Sequence, residues 1–130
     1  MHTRILKSCA AIALGLLANA VLAADAPAPT SKWHMAFHGA ATSDGQMQFR
    51  VTPHEGDAMT VTVEIRHGRT ETFVARDVCD AFKAQLPKKR FKSEILAEKL
   101  LVKAGPGEGE FALELVQSSV EGARVQVTPN

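Results

Sequence analysis

The chain has 130 residues, 15 Lys+Arg against 14 Asp+Glu, 45% hydrophobic side chains and two cysteines. That length suits one domain with room for an apolar core, and the balanced charge gives no global electrostatic reason to expect nucleic acid or a membrane as partner. Beyond the first 23 residues no run of about 18 apolar residues occurs, so the chain does not read as an integral membrane protein.

The opening MHTRILKSCAAIALGLLANAVLA reads as a secretory signal peptide. Arg4 and Lys7 form a basic n-region, residues 9–17 an apolar h-region, and Val21-Leu22-Ala23 a small-residue cleavage site. Export to the periplasm or the exterior by a bacterial Sec-type route is the expectation. Cleavage after Ala23 removes Arg4, Lys7 and Cys9, leaving 107 residues with 13 Lys+Arg against 14 Asp+Glu. One thiol remains, Cys79, so an intramolecular disulfide is ruled out for the mature chain.

Residues 24–31 (ADAPAPTS) read as a flexible Ala/Pro-rich leader, and 32–130 as a single domain. From Lys32 the pattern has period two. Trp33, Met35 and Phe37 alternate with polar or small residues, as do Met47, Phe49 and Val51, and then Met59, Val61, Val63 and Ile65. Alternation of this kind marks antiparallel strands with one wet face. His67-Gly68 is a turn candidate leading to a short extended run, Thr70–Phe73. Within 74–86 the apolar residues Ala75, Val78, Cys79, Phe82 and Leu86 fall at helical spacing, and Pro87 ends the helix. On its polar side Arg76 and Asp80 stand four apart and are placed to pair.

Residues 91–104 fit either a helix or two strands, 91–96 and 99–104. Strands are preferred because the turn Gly105-Pro106-Gly107-Glu108-Gly109 directly precedes the alternating run 110–117, a hairpin signature. Val125 and Val127 supply a last strand. Strands, one helix, then strands again give an α+β fold: a mainly antiparallel sheet of six to seven strands with one helix on its apolar face.

Residues 59–117 resemble the β-α-β-β insertion module of flagellins, filament caps and some phage and adhesin proteins. The likeness rests on MTVTVEI, on VARDVCDAFKAQL, and on KLLVKAGPGEGEFALEL with its strand, glycine turn and Phe-x-Leu strand. It covers about half of the mature chain and implies topology alone, since the module has no catalytic site to carry over.

Four histidines invite a metal reading: His34, His38, His54 and His67. On a strand, however, His34 and His38 share a face with their backbones about 13 Å apart, so a site would need His54 or His67 to join one of them. The run Lys88-Lys89-Arg90-x-Lys92 follows the helix C-terminus, where cations meet the negative end of the dipole. It also offers a docking patch for an anionic partner such as a lipid headgroup, a cell-wall polymer or an acidic protein surface. Arg50 and Arg66 stand on a wet face with His34, His38, Gln48, Thr62 and Glu64, a second candidate surface. Cys79 falls on the inner side of the helix and is expected to be buried.

Carboxylates are scattered, and no nucleophile elbow, phosphate loop, dinucleotide fingerprint, zinc-protease motif or paired C-x-x-C occurs. No cofactor is implied. The expectation is a non-enzymatic, exported binding or accessory domain engaging a protein or envelope component, without nucleic acid. The alternative is a metal- or small-ligand-binding protein built on the four histidines.

Overall fold

The computed structural model describes residues 28–130; the segment expected to be a signal peptide, residues 1–23, lies outside the described residues. In chain order the elements are β1 (Lys32–His38), β2 (Gly45–Pro53), β3 (Met59–Ile65), α1 (Glu71–Gln85), β4 (Phe91–Leu96), β5 (Lys99–Ala104), β6 (Phe111–Ser118) and β7 (Arg124–Pro129). The fold is α+β, and every strand pairing is antiparallel. The strands divide into two sheets, β4-β5-β1-β7 and β3-β2-β6.

Helix α1 joins them, packing most heavily on β3 of one sheet and β4 of the other. Phe82 of the helix meets Phe49 of β2 edge-on at 5.3 Å between ring centroids, and Phe91 of β4 meets Phe111 of β6 at 5.1 Å. Edge-to-face pairs of this kind add about 1 kcal/mol each beyond area burial. Trp33 Nε1 of β1 donates 2.8 Å to the Phe111 carbonyl, a buried bond that ties the sheets together. Among the described residues every buried side chain is apolar.

Thr30 and Ser31, at the end of the expected leader, belong to this structure. Thr30 bridges Phe111 through both its N–H and its carbonyl, and the Ser31 carbonyl accepts from Ala104 N–H. The ordered domain therefore starts earlier than the change of pattern at Lys32.

The run Thr70–Phe73 is not a strand: Thr70 alone is extended, and Glu71–Phe73 are helical. Gly68, with φ +93°, turns the chain so that Arg69 N–H donates to the Arg66 carbonyl, and Thr70 then occupies the helix N-cap position. The helix begins at Glu71, whose carboxylate in the first turn suits the positive end of the dipole and also accepts the Gly39 N–H. Phe73 is left 44% exposed, with the Arg69 guanidinium 4.7 Å over its ring. Arg76 also lies over Phe73, at 5.8 Å, and forms no ion pair with Asp80; the helical acid that is paired is Asp77, held by Arg69 through two bonds of 2.9 and 2.6 Å. The other helix end is as expected: Leu86 N–H closes on the Phe82 carbonyl, Leu86 turns extended, and Pro87 follows.

Residues 91–104 form a hairpin with a two-residue turn, Ala97-Glu98, in which Leu96 pairs with Lys99. The Glu98 carbonyl accepts the Phe37 N–H at 3.0 Å, so the turn is anchored to β1. No helix of the described residues is long and apolar enough to cross a membrane.

Candidate functional site

The basic run is pulled apart by the fold. Arg90 turns away from its neighbours: Nε donates to Glu108 at 2.8 Å and Nη2 to the Glu55 carbonyl at 3.1 Å, clamping two loops. Lys89 stands exposed in the turn before β4. Lys88 and Lys92 border a cleft of about 380 Å³ together with Lys83 of the last helical turn, Phe91, Ser93 and Glu94. A four-residue docking patch does not assemble, because Arg90 lies before β4 with its guanidinium held by Glu108 and the Glu55 carbonyl, whereas Lys92 belongs to the strand.

Lys92 instead opens a larger feature, the outer face of the four-stranded sheet. Its inner positions carry Trp33, Met35, Phe37, Leu100 and Val102, all buried, so the alternate residues face outward. Register places Lys92 of β4 opposite Lys103 of β5, and Lys103 opposite Lys32 of β1. Two rows on, Lys99 stands between Leu96 and Ala36; at the far end Arg124 of β7 stands opposite His38. Across the strands this face presents five Lys/Arg side chains, two histidines (His34 and His38) and a single acid, Glu94.

Like charges directly opposite on neighbouring strands are destabilising, so the lysine row is not a device for holding the sheet. Glu94 offsets part of it. Its carboxylate lies 2.9 Å from Lys103 Nζ. That hydrogen bond, then the charges of Lys103, Lys92 and Lys32, hold the carboxyl below its ordinary value. The face is otherwise neutral or apolar, with Leu96 59% exposed at the hairpin tip.

The three-stranded sheet has a different outer face. Arg50 stands 3.8 Å from Glu114, Glu64 carries a further acid, and Arg66 lies just beyond β3 beside Asp44, Gln46 and Glu64. Cations there are matched by acids. The single wet face expected to hold His34, His38, Gln48, Arg50, Thr62, Glu64 and Arg66 is thus two faces: the histidines lie on one sheet and the rest on or beside the other.

The four histidines are not brought together. His34 and His38 are on β1, His54 follows β2 beside Glu55, Arg90 and Glu108, and His67 sits in the turn after β3, where its N–H donates to Asp44. Among the described residues no three His, Cys, Asp or Glu side chains converge as metal ligands. Cys79 is 2% exposed on the inner side of α1, and burial pushes its thiol up from the ordinary range.

No local motif in the sequence marks Lys32, Lys99, Lys103 and Arg124 as sharing a face. The i, i+2 spacing of Lys99, Leu101 and Lys103 was visible, but which strands lie beside it was not. No protein-family model matches the chain, and no match occurs among curated proteins.

Proposed function

We propose that this protein is an exported, non-enzymatic binding module that engages an anionic component of the cell envelope through the outer face of its four-stranded sheet. The observation that carries the reading is the aligned row Lys92–Lys103–Lys32, three like charges in register on adjacent strands. A sheet keeps such a row at a cost in stability, and a counter-charged partner offsets that cost. The signal-like segment at residues 1–23 supports an envelope location. The resemblance of residues 59–117 to insertion modules of filament-cap and adhesin-type proteins points the same way, toward a domain that works by contact.

Two variants of equal charge test this. Lys32→Gln/Lys99→Gln/Lys103→Gln removes three charges from the face, whereas Arg50→Gln/Arg66→Gln/Arg76→Gln removes three elsewhere. Co-sedimentation with an envelope fraction should be lost in the first and kept in the second. Equal behaviour of the two variants would overturn the proposal.

A further inference from the structure

We infer that the anionic partner is a lipid surface: the sheet face lies flat on an anionic bilayer, its lysines on the phosphates and Leu96 entering the headgroup region. This rests on the reading above and names its partner.

Three observations favour lipid over an acidic protein or polymer. The first is shape. The cations are spread over four adjacent strands, with about 4.8 Å between neighbours, rather than gathered round a pocket. A plane of charge fits a plane of headgroups, whereas a single acidic chain would engage one row.

The second is side-chain chemistry. Four of the five cations are lysines, and none of these four shows the forked pairing that arginine makes at Arg69–Asp77. Lysine is a point charge on a long apolar stem, suited to a diffuse, mobile layer of phosphates more than to bidentate recognition of fixed carboxylates.

The third is the apolar component. Leu96 is the most exposed large hydrophobic side chain among the described residues, and it shares the outer face with Lys92 and Lys99. It stands at the tip of a hairpin whose next residue, Ala97, has φ +58°, a left-handed conformation that alanine adopts at a cost. The Glu98 carbonyl bond to Phe37 holds that tip in place. An anchored tip carrying an exposed leucine beside Lys99, on the face that carries the lysine row, has the two ingredients of reversible surface binding: buried apolar area and attraction to anionic lipid.

The balanced charge of the chain hid this, because net charge does not report how charges are sorted. Four of the seven lysines among the described residues lie on this sheet, whereas Glu94 is the one acid in its strands.

The test is vesicle flotation with the protein and its variants, using phosphatidylcholine vesicles with and without phosphatidylglycerol. Binding is expected only with phosphatidylglycerol, and it should fall steeply as salt rises. Lys32→Gln/Lys99→Gln/Lys103→Gln should weaken it by about tenfold or more. Leu96→Ser should weaken it while leaving the salt dependence unchanged, and Arg50→Gln/Arg66→Gln/Arg76→Gln should bind as the parent does. Circular dichroism checks that each variant is folded. Failure to bind anionic vesicles overturns the lipid assignment; if envelope binding still depends on the face, the broader proposal stands and its partner is an acidic polymer or protein. Equal binding to neutral vesicles, or an unaffected lysine variant, overturns it as well.

Discussion

The side chain of Gln85 makes both hydrogen bonds of a neighbouring strand to Thr62. Its Oε1 accepts the Thr62 N–H at 3.0 Å and its Nε2 donates to the Thr62 carbonyl at 2.8 Å. Strand β3 is an edge, and edges expose unpaired backbone groups to other chains. The last residue of the helix thus covers the middle of that edge. Gln85→Ala should lower stability by about 1–2 kcal/mol in urea unfolding, since two exposed bonds are lost. It should also raise self-association, read by light scattering. An unchanged unfolding midpoint would show that water replaces the amide without loss.

The turn at Ala97 makes the opposite prediction. Its φ of +58° is a glycine conformation occupied by alanine. Ala97→Gly relieves about 1 kcal/mol of backbone strain and returns part of it through the greater freedom of the unfolded chain. A net gain of about 0.5 kcal/mol is expected in the same unfolding assay, and a loss would show that the turn is not strained.

Cys79 lies among Val78, Phe82 and the inner residues of the helix, with its thiol pushed up by burial. A thiol raised in this way is mostly protonated near neutral pH, and the thiolate is the reactive form. Thiol reagents should leave the folded protein unmodified and label it fully in urea. Rapid labelling of the native protein would mean that α1 opens readily.

Glu94 gives a pH dependence with a definite sign. Its carboxyl is held below the ordinary 4.5 by the Lys103 hydrogen bond and the surrounding lysines. A carboxyl lowered on folding contributes stability that is full above its ordinary value and lost as pH falls through the lowered one. Glu94→Gln should therefore be less stable than the parent at neutral pH and indistinguishable from it in strong acid. The same variant removes the one acid of the face, so its affinity for an anionic partner should rise at neutral pH. Weaker binding would count against the face as the docking surface.

Much of the fold was legible in the sequence because alternation reports directly which side of a strand is buried. Trp33, Met35 and Phe37, then Val61, Val63 and Ile65, face inward as their spacing requires. The glycine turn at 105–109 decided rightly for two strands in 91–104. What alternation cannot report is which strands are neighbours. It placed His34 and Arg50 together on a wet face, yet β1 and β2 belong to different sheets, and the lysine row exists only once β4, β5 and β1 lie side by side. Local chemistry misled at two further places. Thr70–Phe73 has residues that favour strands, but the turn at Gly68 delivers Thr70 to a helix start. Arg90 sits in a basic run, but Glu108 and the Glu55 carbonyl, distant in sequence, claim its guanidinium.

The most direct test of the docking surface is lysine footprinting: acetylation of the protein by an amine-reactive reagent with and without an envelope fraction, followed by mass spectrometry. Protection concentrated at Lys32, Lys92, Lys99 and Lys103, with Lys89 still reactive, is the predicted result. Equal reactivity at those four with and without the envelope fraction, or protection confined to Lys88 and Lys89, would contradict it.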